Sequence, residues 1–335
     1  MALPVGDVVG ILGDNLRLRG SVLPLSRRNA TGWSRGLDLP RGGDTVLCTG
    51  LMYQLVPGIE ALVALEERLG RSRLAGLTGL GRRVNRVVNV SAPVVLAARR
   101  KRAPYEAILR DVAVLLREAG VRFGYLYEDD LYSGALAWDL GLDDVVARHA
   151  QRVAETFRRH GVKTAITVDP HTTNMLRSVY PELLGGFDVE VRSYLELLEE
   201  LEPEVRSPLE GEVVIHDSCV YARSEDVVDE PRKLLARAGL SLRDPAHARR
   251  RTWCCGGPVE ALYPEKALAQ ATRRVEELRE AAPACVTMCP LCLVNLQRAA
   301  GGSMPLRDVS HYLLAAYGSP AGAGAAVVTG RDAAA

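Results

Sequence analysis

Five of the seven cysteines fall in a pattern that suits metal or redox chemistry. Cys219 stands alone behind a short apolar run, Cys254 and Cys255 are adjacent and followed by Gly256 and Gly257, and Cys289-Pro290-Leu291-Cys292 is a CxxC. Thiols from three separate stretches converge only if the fold brings three loops together, and thiols so gathered usually hold a metal or an iron–sulfur cluster. Three chemistries compete. A structural zinc takes four ligands in a tetrahedron, usually from two knuckles; five thiols, two of them adjacent, exceed and distort that demand. A thioredoxin-like dithiol would use the CxxC alone and leave the other three cysteines unexplained. An iron–sulfur cluster takes thiolates only and suits the set best.

The neighbouring residues agree. A CxxC that opens a helix lies in the partial positive charge of the helix N-terminus, which lowers thiol pKa. Pro290 fits a first turn, where its missing N–H costs little. Gly256 and Gly257 let backbone approach and donate N–H groups toward sulfur. Cys48 and Cys285 lie in apolar, strand-like runs and read as small buried hydrophobes.

The elements that must position the array alternate between strand and helix. Strands are expected at 45–48, 122–127, 163–168, 212–216 and 284–288. Helices are expected at 5–17, 57–69, 105–119, 142–160, 172–180, 230–238, 264–281 and from the CxxC loop through Leu296. Residues 16–43 read as loop and 70–104 as irregular or partly stranded. This order predicts an α/β fold with mainly parallel sheets flanked by helices. It also repeats: LLREAGVRF at 115–123 matches LLARAGLSL at 234–242, and Tyr132-Ser133-Gly134 falls where Cys254-Cys255-Gly256 falls. Asp169-Pro170-His171-Thr172 likewise falls where Cys289-Pro290-Leu291-Cys292 falls, with intervals from the glycine of 35 and 33 residues. The chain reads as a duplicated domain whose second copy alone kept its thiols.

At 335 residues there is room for two domains. A formal net charge of +1, from 42 basic and 41 acidic residues, supplies no global field for nucleic acid or an anionic membrane. The first residues lack the basic region of a secretory signal, and the apolar tract at 84–98 is interrupted and too short to span a bilayer. The expected location is the cytoplasm, with peripheral attachment to a membrane complex as an alternative. In that reducing setting clustered cysteines favour metal or redox use over structural disulfides.

The motifs HDSCVYAR, DEPRKLL, CCGGPVEALYPEKALAQATRRVEE and VTMCPLCLVNL resemble the C-terminal cysteine-rich (CCG) domain of the heterodisulfide reductase B/D-like family. That superfamily includes the iron–sulfur subunits of glycolate, glycerol-3-phosphate and lactate dehydrogenases. The resemblance covers nearly the whole chain, and 29–39 resembles the segment preceding the first CCG domain. It implies a noncubane 4Fe–4S cluster on Cys219, Cys254, Cys255, Cys289 and Cys292, with Cys254 and Cys255 nearest any cluster-borne catalysis. The implied domains are an N-terminal extension at 1–44, a degenerate CCG-type domain at 45–202, a CCG domain with the iron–sulfur site at 209–318, and a flexible tail at 319–335. Residues 203–208 form the linker.

The departures constrain what the resemblance implies. In the first copy the ligand positions are Leu51, Tyr132, Ser133, Asp169 and Thr172, so no thiol remains, and Cys48 lies three residues before the first of them. A symmetric mechanism that splits a disulfide between two clusters is thereby in doubt. What remains is one-electron relay, or thiol/disulfide chemistry at one cluster with the vacated pocket binding the rest of the substrate. The ferredoxin segment of fused family members is absent, so a ferredoxin-like iron–sulfur subunit and a flavoprotein subunit are the expected partners. Alternatives are a zinc-holding assembly subunit and the iron–sulfur subunit of a 2-hydroxyacid dehydrogenase.

Other residues carry weaker signals. Asp169, His171, Glu128 and Asp130 could bind a polar substrate or another metal near the vacated pocket, or belong to a solvated loop. Arg249, Arg250 and Arg251 could offset cluster charge or hold an anionic substrate, or form a solvated turn. Arg99, Arg100, Lys101 and Arg102 could dock an acidic partner, or merely lead into a helix. His216 matches the family's HDPC, with Ser218 in place of the proline, and reads more readily as a strand-end histidine than as a ligand.

Overall fold

Among the described residues eight short strands carry the architecture, and every neighbouring pair runs parallel because each strand returns to its sheet through a helical crossover. The computed structural model describes residues 4–69, 84–85, 89, 92–93, 98–260 and 262–319. The apolar tract at 84–98 lies largely outside them, as do the tail beyond Ser319 and the side chains of Arg99 and Arg100. The first sheet comprises β1 (Thr45–Cys48), β2 (Gly124–Tyr125), β3 (Thr164–Thr167) and β4 (Glu190–Ser193), in the order β2-β1-β3-β4. The second comprises β5 (Glu212–Ile215), β6 (Ser241–Arg243), β7 (Ala284–Thr287) and β8 (Leu306–Asp308), in the order β6-β5-β7-β8. The two orders are the same, as a repeated unit requires. In each sheet the order reverses beside its first strand, so a crevice opens beyond the carboxyl ends of β1 and β3, and of β5 and β7.

The central strands are continuous apolar runs, as parallel strands covered on both faces must be. Val46, Leu47, Val213, Val214, Ile215, Cys285 and Val286 are all buried. Helices supply the cover with one apolar stripe each. Helix Ala103–Glu118 buries Tyr105, Ile108, Leu109, Val112 and Leu116. Helix Asp143–His160 buries Val146, Ala150, Val153 and Phe157, carries Asp143 and Asp144 in its first turn, and stops at a left-handed Gly161.

The expected central strands and the long helices match closely, and the differences have local causes. The expected strand at 122–127 shortens to β2 because Leu126 enters a 3-10 turn and Tyr127 adopts φ 56. The expected helix at 172–180 divides into Pro170–Asn174, a π-turn Met175–Val179 and Tyr180–Leu184. The expected helix at 57–69 begins earlier, at Met52, with Pro57 inside it. The expected loop at 16–43 contains a helix at Arg27–Thr31. Strands β4, β6 and β8 and the helices Tyr194–Leu201 and Val309–Tyr317 lay outside the expected set. Those strands are three or four residues long and carry charge, EVRS, SLR and LRD, so they lack an apolar run.

The halves are joined by reciprocal contacts. The Tyr53 hydroxyl donates to Asp308 Oδ2 at 2.6 Å, and Tyr221 hydrogen-bonds with Ser193 Oγ at 2.8 Å. Tyr53 lies two residues after Leu51 and Tyr221 two after Cys219, while Ser193 and Asp308 each cap the helix after the last strand of a sheet. At 203–208, Arg206 and Ser207 donate their backbone N–H groups to Ala316 O at 2.9 and 3.0 Å.

Helix Ala103–Glu118 meets helix Val309–Tyr317 through Asp111 and His311 Nδ1. Burial pushes the His311 pKa down, but the bond and charge of Asp111 outweigh it, and the net shift is upward. A group raised in the folded state stabilises fully below its unfolded pKa of about 6.5, and that stabilisation is lost as pH rises through the folded value. Thermal melting of the wild type should therefore lose stability as pH rises above about 6.5, and His311→Gln should flatten that dependence. Identical slopes in the two proteins would contradict it.

Candidate metal centre

Three loops at the carboxyl ends of β5, β6 and β7 meet at the second crevice. After β5 the chain passes through His216, Asp217 and Ser218, all buried, to Cys219. After β6 an exposed 3-10 turn at Arg249–Arg251 leads to Cys254 and Cys255. After β7, Cys289 is the N-cap of helix Pro290–Ala300, which places Cys292 near its start.

The five thiols are linked in one continuous chain, each close enough to shift the ionisation of the next: Cys219 with Cys254, Cys254 with Cys255, Cys255 with Cys292, and Cys292 with Cys289. Cys255, Cys289 and Cys292 are buried, while Cys219 and Cys254 are partly so. Two of the five are pushed toward thiolate and three toward thiol. Hydrogen bonds from Cys219 and Cys255, with the Gly256 N–H, hold Cys254 far below the ordinary thiol range. Burial pushes Cys289 up, but the Cys292 thiol and the His171 ring outweigh it, so its net shift is also downward. Cys219 and Cys255 are pushed up first by the bond each makes to Cys254, and Cys292 by its bonds to Cys255 and Cys289. Cys219 and Cys255 stay protonated because their neighbour Cys254 ionises first. All five can become thiolates together only if a multivalent cation compensates their charge.

Backbone geometry brings sulfur and N–H groups together. Gly256 N donates to Cys254 Sγ at 3.3 Å. Gly256 sits at φ +82, where a Cβ would lie 2.8 Å from Ala267 O, so both conformation and space demand glycine. Gln270 Nε2 donates to Cys254 O at 3.2 Å. The loops are also tied to each other: Thr252 Oγ1 donates to Asp217 O at 3.0 Å, and Arg232 holds the Asp217 carboxylate with two bonds of 2.6 and 2.9 Å. Behind them Arg274, fully buried, donates to His216 Nδ1 at 3.1 Å, to His247 O at 2.9 Å and to Glu277 Oε2 at 2.6 Å.

Several residues singled out in the sequence lie elsewhere. Arg249 and Arg250 are exposed and pair with Asp229 and Asp226, and Arg251 is also exposed. Cys48 and Cys285 are buried outside the thiol chain; burial raises both thiols, Cys285 to about 12. His171 comes from the first half and hydrogen-bonds to Cys289, with Asp139 Oδ2 3.6 Å from its Nδ1. Burial lowers its pKa, but Cys289 and the two aspartates, Asp139 and Asp169, raise it to about 9, so near neutrality it is a cation beside the thiols.

The equivalent crevice of the first half keeps the backbone and replaces the thiols with other side chains. Gly134 has φ 88 and Gly256 φ 82, and Asp169, like Cys289, is an extended N-cap followed by proline. Here Asp169 accepts from Thr172 N at 3.0 Å, Ser133 N donates to Gly50 O at 3.1 Å, and Thr172 packs against Gly50. The Tyr132 ring is fully buried. Leu51, Glu128, Asp130 and Tyr132 line a cavity of about 840 Å³ whose wall includes Arg27 and Arg152. Asp130 accepts from Thr49 N at 3.2 Å and Thr49 Oγ1 at 2.5 Å, and burial raises its pKa to about 6. Among the described residues, the metal-capable group is His216, Cys255 and Cys292, with ligand atoms within 4.8 Å of one another; Asp169, His171, Glu128 and Asp130 do not assemble one.

Sequence reasoning missed Arg274, Arg232 and Gln270. The signal for Arg274 was available, because it shares the buried stripe of helix Pro264–Ala281 with Ala267, Ala271, Val275 and Leu278, where a charge needs a partner.

The cysteine-rich domain family CCG matches residues 213–297, the span that holds all five. Residues 213–297 thus form a CCG-type cysteine-rich domain, and the resemblance of the chain to the heterodisulfide reductase B/D-like family holds. It is similar to the probable iron-sulfur-binding oxidoreductase FadF of Bacillus subtilis, 31% identical over 55% of this chain and 27% of that protein. It is similar to the EtfAB:quinone oxidoreductase of Syntrophomonas wolfei, 31% identical over 57% of this chain and 28% of that protein. A fumarate reductase (CoM/CoB) polypeptide of Methanothermobacter marburgensis is 27% identical over 47% of this chain and 31% of its own length. The matches therefore span about a third or less of each relative. Among the described residues no helix is long and apolar enough to cross a membrane.

The contact chain makes a prediction about ligands. Cys255→Ser should abolish cluster binding, read as iron and sulfide per chain after anaerobic purification, while Cys48→Ser and Cys285→Ser should retain the wild-type content. Equal loss in all three would contradict the assignment.

Proposed function

We propose that this chain is an iron–sulfur subunit of a heterodisulfide-reductase-like oxidoreductase, acting in electron transfer or thiol/disulfide reduction at Cys219, Cys254, Cys255, Cys289 and Cys292. The observation that carries the reading is the unbroken contact chain of those five thiols, which can ionise together only around a multivalent cation. Five sulfur ligands match the noncubane 4Fe–4S type that the family resemblance implies and exceed what a tetrahedral zinc takes. Bound there, such a cluster supplies one-electron redox capacity.

The chain's own residues do the rest. The loops after β5, β6 and β7 present sulfur from three sides, and the burial of Cys255, Cys289 and Cys292 limits water at the site. His171 sets a positive charge against Cys289 and offsets part of the thiolate charge. The first crevice has no thiol at the five ligand positions and its loops are closed by hydrogen bonds, which disfavours a symmetric two-cluster cleavage of a disulfide. Electrons would then pass singly through one site, to or from a ferredoxin-like iron–sulfur partner and a flavoprotein. The similarity to a probable iron-sulfur-binding oxidoreductase and to an EtfAB:quinone oxidoreductase supports a place in such an assembly.

Anaerobic purification followed by metal and sulfide analysis and EPR tests the reading. About four irons with comparable sulfide per chain and a paramagnetic signal in one redox state are expected. One zinc without sulfide would overturn it.

A further inference from the structure

His216 stands beside the thiols, with a ring nitrogen in the group that includes Cys255 Sγ and Cys292 Sγ within 4.8 Å. Its type and position invite assignment as a further metal ligand. The hydrogen bonding behind it excludes that. Arg274 Nε lies 3.1 Å from His216 Nδ1, and a guanidinium N–H only donates, so Nδ1 must be the acceptor. A neutral imidazole with an accepting Nδ1 carries its hydrogen on Nε2. Nε2 is buried and has no hydrogen-bond partner among the described protein groups. With Nδ1 turned to Arg274, Nε2 is the nitrogen left for the sulfur side, and it arrives there as an N–H.

Arg274 is well placed to enforce this tautomer. Its side chain is fully buried, and its remaining donors reach Glu277 Oε2 at 2.6 Å, His247 O at 2.9 Å and Thr252 Oγ1 at 3.4 Å. Thr252 in turn donates to Asp217 O, in the residue after His216. The guanidinium cannot swing away without stranding a buried charge, so the ring orientation is fixed from behind, as outer-shell partners fix histidines at metal sites.

We propose that His216 is a positioning and tuning residue whose Nε2–H donates a hydrogen bond to a sulfur at the Cys255–Cys292 side of the cluster site, with Arg274 dictating the tautomer. This deepens the cluster reading above and rests on it. An N–H directed at sulfur stabilises the more electron-rich state, so it raises the reduction potential.

The test uses the whole chain as wild type, His216→Leu, His216→Gln and His216→Asn, each purified anaerobically with iron and sulfide counted before an EPR-monitored redox titration. Gln can place an amide N–H near the Nε2 position; Asn has the same chemistry one methylene shorter, and Leu has no donor. All four should hold the same iron and sulfide. Leu and Asn should have a lower midpoint potential, changing the reduced-to-oxidised ratio at fixed potential by about tenfold, or about 59 mV for one electron, and Gln should stay near the wild type. If Leu does not fold, Asn carries the comparison, because it keeps a polar group for Arg274. Unchanged potentials in Leu and Asn with the cluster retained would overturn the hydrogen bond. Loss of iron in every variant would make His216 a ligand and overturn the proposal equally. Failure of the underlying reading is distinguishable, since it would show as zinc without sulfide in the wild type.

Discussion

Like charges gathered in a buried pocket must be compensated, and this constraint governs the second half of the molecule. Five thiols linked in a chain ionise only in part by themselves: Cys254 and Cys289 are pushed toward thiolate, and Cys219, Cys255 and Cys292 toward thiol. The surroundings lean one way. Gly256 turns an N–H toward Cys254, the start of helix Pro290–Ala300 faces Cys289, and His171 adds a positive charge from the other half. These devices lower the cost of anionic sulfur without meeting it in full, and the remainder is what a bound metal centre would supply.

The duplicated fold explains why this pocket is where it is. A parallel sheet with its order reversed beside the first strand opens a crevice at its carboxyl edge, and two such sheets give two crevices. They have diverged by substitution on a retained backbone. The left-handed glycine and the extended N-cap before proline persist at Gly134 and Asp169, where Tyr132 and hydrogen bonds among Gly50, Ser133, Asp169 and Thr172 take the place of sulfur. The first half retains a link to the second, because His171, two residues beyond the vacated position at Asp169, reaches Cys289.

Much of this was legible in the letters, for physical reasons. Strands β1, β5 and β7 are short apolar runs that only a buried parallel sheet accommodates, and the CxxC after β7 marked a helix start through Pro290. The repeat was visible because turn geometry constrains Gly134 and Gly256 alike. The strands β4, β6 and β8 escaped notice because charged, three- or four-residue strands are made by their neighbours and not by their own pattern. Long-range pairings escaped as well. Nothing local to Arg274 shows that it faces His216 across 58 positions, and Arg249–Arg251, the more conspicuous basic run, turns out to face solvent and acids.

The central claim is that one crevice of the pair retains a thiolate-held iron centre and the other has lost it. Diffraction from anaerobically grown crystals at the iron absorption edge tests this most directly. Anomalous density should appear where Cys219, Cys254, Cys255, Cys289 and Cys292 converge, with none beside Leu51, Ser133 and Thr172. Iron density in the first crevice, or its absence from the second in protein shown to contain iron, would contradict the account.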